Sequence, residues 1–570
     1  MSAKRIAFRL IFAALISLLV CGRAAAASQS EGAEKFMIAA AHPLAAEAGR
    51  DILARGGSAV DAAIATQMVL TLVEPQSSGI GGGAFLLYYD AAAARLETYD
   101  GRETAPAAIQ PDHFLQADGE PKKFYDAVVG GGSVGAPGVL AMLEMAHRDH
   151  GRLPWAELFE PAIRHAREGF LITPRLHYLL HEDQYLKTRQ PARAYFYDAS
   201  GEARKTGARL VNPELAETFS QIAKDGAQAF YRGDIAAAIV AAVRNDPTNP
   251  GVLSLDDLAA YRAIKRAPVC APYRAYQVCG MGPPTSGGVT LLQALGLLAA
   301  HDLAALDPLG AEAIDLIAQA SALAFADRGK YLADTDFVDV PVADLLSPAY
   351  LSRRARLIRP GAPALPFAAG DPREKQGSRG IDNAIELPST SHFSIIDSYG
   401  NAVSMTTSVE NAFGSRLMVR GFMLNNQLTD FSFIPATPEG PVANRIEPGK
   451  RPRSSMAPTM VFDSDGALEM VIGSPGGGRI IGYVLKTLVA ALDWGVDIQT
   501  AIDMPHVINR NGVLEIEKET PPADLQLALD AMGYKVNVRA LNSGLHGIHI
   551  TPHGLVGGAD RRREGVVLSE

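Results

Sequence analysis

Ser389, Thr390 and Ser391 are three consecutive hydroxyl residues directly before "HFSII", a segment that reads as a strand. One reading is structural, because polar turns commonly precede strands. The other is chemical. A threonine hydroxyl is a poor nucleophile without a base beside it. If Thr begins a chain, its own α-amine is that base, with a reference pKa of about 7.7–8.0, near neutrality. Covalent attachment then supplies the proximity. The requirement is a Thr or Ser at a strand start, behind a segment that can be cut away. The tract 359–389 has many Pro and Gly breakers and no useful periodicity, so it reads as an exposed or mobile connector of that kind.

Other patterns carry less. "GGSVG" (Gly131 to Gly135) has the Gly-x-Ser-x-Gly spacing, but Pro137 delays the following helix, and a glycine turn is expected. His147 and His150 lack the i, i+4 spacing of a zinc-protease pair and read as solvated. His546 and His549 fall on opposite faces of a strand, so with His553 they form no metal site. The glycines of "SSGIGGG" follow a helix and precede a strand, the reverse of a nucleotide-binding loop.

The elements that must position these residues belong to a large folded chain. It has 570 residues, 48% hydrophobic and 20% charged, with 54 Gly that imply many tight turns. Residues 1–27 read as a cleavable export signal: Lys4, Arg5 and Arg9, an apolar run from Leu10 to Val20, then Ala24 to Ala27. Val20 stands where a small residue would precede a lipidated Cys21. The signal carries four basic residues and no acid, so its removal takes the net charge from −9 to −13. Such acidity argues against nucleic-acid or anionic-membrane partners, and no later apolar run is long enough for membrane insertion. A periplasmic or secreted location is expected. Cys270 and Cys279 flank "APYRAYQV" and read equally as a disulfide or as two buried thiols. "HPLAAEAGRDILARGG" and the segment capped by Ser58 predict two helices, 137–330 is mostly helical, and strands dominate from His392, with "HFSIID" and "AVSMTTSV" flanking the turn "SYGN". Helices on a mixed β core are expected, with a change of character near residue 389.

"STSHFSIIDSYGNAVSMTTSVENAFGS", "GFMLNNQLTDFS", "PGKRPRSSMAPTMV" and "GSPGGGRII", with "YDGRETAP" and "GADRRREG", resemble the γ-glutamyltranspeptidase family in order and spacing from about residue 36 onward. The resemblance implies an α+β fold, the four-layer αββα sandwich of N-terminal-nucleophile hydrolases. It implies a proenzyme that cuts itself between Ser389 and Thr390 into a larger subunit (28–389) and a smaller catalytic one (390–570), paired as a heterodimer. Thr390 is then the nucleophile. Gly476 and Gly477 offer backbone N–H groups to the oxyanion, and Ser408 orients Thr390. Arg102, Ser454 and Ser455 take a donor α-carboxylate; Asp430, Gln427 and Glu410 take its α-ammonium. No metal or cofactor is implied. Glutathione is the natural candidate donor, with water, an amino acid or a peptide amine as acceptor.

This sequence departs from the family pattern at Ser408, where many members have Thr, and at Glu410, where many have Asn. The tract 431–453, where some members carry a lid, has no Tyr or Trp. His392 is expected to pack in its strand and Ser391 to give local support. A glutaryl or cephalosporin-type acylase of the same fold is the alternative, although such a substrate has no ammonium for Asp430. An exported solute-binding protein is a remoter one.

Overall fold

The computed structural model describes residues 35–373, 378–382 and 384–570, so the expected export signal lies outside the described residues. Two antiparallel sheets carry the core. The seven-stranded sheet runs Val566–Ser569, Met37–Ala40, Ser391–Ile396, Ala402–Ser408, Gly83–Asp90, Arg95–Gly101 and Ile264–Arg266. The six-stranded sheet runs Gly554–Ala559, His546–Thr551, Leu468–Gly473, Thr459–Phe462, Tyr276–Gly280 and Val269–Tyr273. Phe85, Leu87 and Ile396 of the first sheet pack on Met470 and Ile472 of the second. Helices Pro43–Ala54, Ala59–Val73 and Val139–His150 cover the outer face of the first sheet, and Gly287–Leu298 and Ile480–Leu492 that of the second. The result is the expected αββα sandwich.

Local chemistry accounts for the elements nearest the site. Ser58 and Asp61 form a reciprocal capping box that starts helix Ala59–Val73. Its residues are buried all round, as expected of a helix enclosed between other layers. The turn at "SYGN" sets the register Ala402↔Ile396 through Thr407↔Ser391, which places Ser408 across from Thr390.

The connector behaves differently from its composition. Gly361 N–H donates to the Asp315 carboxylate at 2.8 Å, Phe367 N–H to Asn511 at 2.7 Å and Gly370 N–H to Asp327 at 2.7 Å. Breaker residues prevent regular structure, but side chains from neighbouring elements tie down the described part of this tract. His150 is likewise not solvated: its side chain stacks on Tyr88 and bonds Glu97 at 3.1 Å. His147 is half-buried against the Leu153 carbonyl. Periodicity put these groups at a helix end; the strands packed there bury them.

Cys270 and Cys279 are directly opposed in an antiparallel hairpin and form a disulfide. Closing so short a loop contributes about 2–3 kcal/mol in the chain-entropy account. Replacing both cysteines with Ser is expected to lower the thermal midpoint by about 2 °C and leave activity intact, as read by calorimetry beside an assay. No helix among the described residues is long and apolar enough to cross a membrane.

Candidate active site

Thr390 lies at the mouth of strand Ser391–Ile396, buried, with φ of +85°. A β-branched residue there is strained by about 1–3 kcal/mol. Its surroundings hold it in place. Ser389 Oγ donates to the Gln76 carbonyl at 2.7 Å, and Arg563 Nη1 donates to the Thr390 carbonyl at 2.9 Å. Ser391 Oγ donates to Glu74 at 2.5 Å and accepts from Ser78 at 3.1 Å, the support expected of it. Thr390 Oγ1 lies 3.0 Å from Ser408 Oγ, which accepts the Glu410 N–H at 2.9 Å and so has its own proton free to point at Thr390.

The second sheet supplies the other wall. Strand Leu468–Gly473 ends in the glycine loop that leads into helix Ile480–Leu492. Gly476 N–H donates to the Ser389 carbonyl at 3.2 Å, so the carbonyl of the Ser389–Thr390 bond already rests on this loop. At Gly477 φ is +59°, and a Cβ there would lie 2.4 Å from the Leu387 carbonyl, so only glycine fits.

Thr390, Ser408, Glu410, Gln427, Asp430, Ser454, Ser455 and Gly477 line one pocket, as the sequence reading grouped them. Its free volume is only about 20 Å³, and Glu386 and Leu387, just ahead of the Ser389–Thr390 bond, complete its lining. Arg102 stands behind that wall. It is fully buried, its Nη2 donates to Asp430 and to the Arg453 carbonyl at 3.1 Å, and its Nε to the Pro452 carbonyl at 3.0 Å. Its Nη1 has no hydrogen-bond partner among the described residues. Gln427 Nε2 approaches Asp430 at 3.4 Å, and Asn426 Nδ2 bonds Glu410.

Three acids crowd this enclosed pocket: Glu386 adds to the rise at Asp430, and Asp430 to that at Glu410. Burial pushes the Asp430 carboxyl up to about 6, against the pull of Arg102. Burial, then repulsion from Asp430, pushes Glu410 well above the usual carboxylate range. A cation between them would relieve both. Glu386 shows the opposite outcome. Burial alone would raise it, but Arg328 and Arg453 overcome that and hold it at about 2. Its carboxylate accepts from Ser455 Oγ at 2.5 Å and pairs with Arg328.

Glu386, Arg328, Arg453 and Arg563 escaped the sequence reading. The signals available were Arg453 beside Ser454, Glu386 four residues before Thr390 and Arg563 within "GADRRREG"; nothing local marked Arg328. His392 is buried and neutral, bonded to Thr406 at 2.9 Å and Ser394 at 3.2 Å, which makes it a packing residue rather than a base. Ser133 of "GGSVG" donates to the Val128 carbonyl at 2.6 Å inside a 3₁₀ turn. Among the described residues the one group of metal-type ligands is Glu97, Asp149 and His150, and the Lys265 ammonium already lies 2.6 and 2.9 Å from the two carboxylates.

Comparison with known proteins agrees with this geometry. The family described as gamma-glutamyltranspeptidase matches residues 45–569. The chain is 36% identical over 516 residues to a glutathione hydrolase proenzyme of Bacillus subtilis (strain 168), covering 89% of this chain and 86% of that one. It is 35% identical over 546 residues to the glutathione hydrolase proenzyme of Escherichia coli (strain K12), covering 93% and 91%. The crystal structure of cephalosporin acylase from Bacillus halodurans superposes with a TM-score of 0.83 at 29% identity, over 95% of this chain and 96% of that one. The chain therefore belongs to the γ-glutamyltranspeptidase family, as a hydrolase and transferase.

Proposed function

We propose that Thr390 first cuts its own chain and then transfers γ-glutamyl groups, with glutathione as the natural donor. The Ser389 carbonyl resting on the Gly476 N–H, one bond from a strained Thr390, carries this reading. Thr390 Oγ1 attacks that carbonyl carbon, and negative charge develops on an oxygen already facing its donor. The C–N bond breaks as the hydroxyl proton passes to the departing nitrogen, an ester joins Ser389 to Thr390, and water hydrolyses it. Strain at Thr390 is released because φ no longer spans a peptide bond. The products are a larger subunit ending at Ser389 and a smaller one beginning at Thr390, which remain paired.

In turnover the free α-amine of Thr390 takes the proton from its own hydroxyl as Oγ1 attacks the γ-amide. The oxyanion sits on Gly476 and Gly477, and the leaving amine departs with a proton. Water or an amino acid or peptide amine then resolves the ester. Ser454, Ser455 and Arg102 face the donor α-carboxylate, and Asp430, Glu410 and Gln427 its α-ammonium. The basic start, apolar run and Ala-rich end of residues 1–27 support a periplasmic or secreted location for this activity.

The likeness to a cephalosporin acylase favours a second reading, a glutaryl acylase. Two buried acids in the pocket weigh against it, since a glutaryl group brings no cation. The test is release of chromophore from a γ-glutamyl anilide, stimulated by an amine acceptor; a purified protein that releases none overturns the proposal. Asp430 must be ionised to hold the ammonium, and in the uncut chain burial, with repulsion from Glu386, raises its carboxyl to about 6. The apparent KM of the processed enzyme for γ-glutamyl donors is therefore expected to rise severalfold between pH 7 and pH 5, while that for glutaryl donors stays level.

A further inference from the structure

Beside the Thr390 pocket lies a second cavity of about 520 Å³, and Glu386 borders both. Arg328, Arg453 and Arg510 line it. Two of these guanidiniums, those of Arg328 and Arg453, lie within ion-pair distance of the Glu386 carboxylate. Arg328 pairs with it directly, and Arg453 Nη2 lies 3.7 Å away. Arg510 faces the same space: a Cβ on Gly478 would lie 2.8 Å from Glu386 Oε2 and 2.9 Å from Arg510 Nη1. Arg453 also pairs with Asp382 at 2.8 Å, and Arg510 approaches Glu515 at 3.8 Å. For Arg328 the pairing acid among the described residues is Glu386.

Glu386 sits four residues before the bond that Thr390 cuts. It therefore belongs to the piece of chain that loses its tether to the strand. Once its carboxylate leaves, a buried guanidinium is left without its anion, a costly state that another carboxylate would relieve. Ser455 Oγ donates to Glu386 at 2.5 Å and accepts from Arg328 at 2.6 Å, so in the uncut chain Glu386 holds a hydroxyl that turnover gives to the donor α-carboxylate, and the position Glu386 vacates adjoins the donor pocket. Water or an amine must approach the acyl-enzyme where the donor's leaving half departed. By microscopic reversibility, leaving group and acceptor share that space.

We propose that self-cleavage uncovers an arginine subsite, formed by Arg328, Arg453 and Arg510, that binds the carboxylate of the acceptor peptide and of the donor's leaving peptide. Glu386 is its internal stand-in before cleavage. The inference rests on Thr390 being the nucleophile of a γ-glutamyl transferase.

The experiment uses processed two-chain enzyme, a γ-glutamyl anilide donor, and two acceptors that differ only in charge, glycylglycine and glycylglycinamide. Their ratio of kcat/KM cancels any damage common to both. Wild type is expected to favour glycylglycine about tenfold at low salt, with Arg510→Gln reducing the preference to about threefold or less and Arg510→Lys keeping most of it. Arg510 is the variant of choice because its side chain is 35% exposed. Absence of a preference in wild type, as when Glu386 stays seated after cleavage, overturns the proposal; so does an unchanged preference in Arg510→Gln. If Arg510→Gln does not fold, salt decides on wild type. The preference should shrink as chloride is raised from low salt to about 0.5 M, and a flat preference overturns the subsite. Wild type that stays one chain and releases no anilide removes the transferase reading as well. Two-chain wild type that turns over the anilide without preference removes the subsite alone.

Discussion

Thr390→Ala is expected to remain a single chain on a denaturing gel where the wild type separates into two, and to lose turnover by about 10⁴-fold or more. The substitution removes the attacking hydroxyl and little else. Ala at this position still carries a Cβ at φ of +85°, so the backbone strain persists. The Gly476 N–H still meets the Ser389 carbonyl, and Arg563 still holds the Thr390 carbonyl. A chain that stays whole under those conditions isolates the hydroxyl as the missing reactant. Thr390→Ser keeps the oxygen and is expected to cleave, more slowly, because the serine rotamer is less confined against Ser408. Cleavage at residue 390 or retained turnover in Thr390→Ala would place the nucleophile elsewhere.

Asp430→Asn is expected to lower kcat/KM for γ-glutamyl anilides by about 10²-fold and for glutaryl anilides by about threefold or less. The pair of substrates differs by the α-ammonium, so the difference reports the group that meets Asp430. Asn is nearly isosteric and still offers an oxygen to Arg102 Nη2, so the buried guanidinium keeps an acceptor. The thermal midpoint should accordingly stay within a few degrees of wild type, which separates lost recognition from lost folding. Equal losses on both substrates would remove the ammonium assignment. The processed enzyme is the right material, because in the uncut chain Glu386 and Leu387 are still tethered in the pocket wall.

Much of the site could be read in the sequence because its groups fall within short stretches. Thr390 and Ser408 belong to one hairpin, and the "SYGN" turn sets their pairing. Gln427 and Asp430 share one 3₁₀ turn, and Ser454 and Ser455 are adjacent. The glycines at 476 and 477 mark a backbone that must pass close to another chain segment. Composition misled where it stood in for contacts. The described part of the connector lacks period yet is fastened by Asp315, Asp327 and Asn511, none of them near it in sequence.

The residues themselves supplied the order of helices and strands and the hydroxyl of Thr390 proposed as nucleophile, and shared motifs supplied Ser408 and the acids and hydroxyls proposed for the donor pocket. These follow from local spacing, turn chemistry and shared motifs. Only the tertiary structure decided what those groups face. The stacking of two sheets brings Gly476 from one onto the Ser389 carbonyl of the other. Packing buries Arg102 behind Asp430, and the connector carries Glu386 into a ring of arginines. Such pairings join charges far apart in the chain. Their strength depends on burial, and burial belongs to the assembled fold rather than to any stretch of sequence.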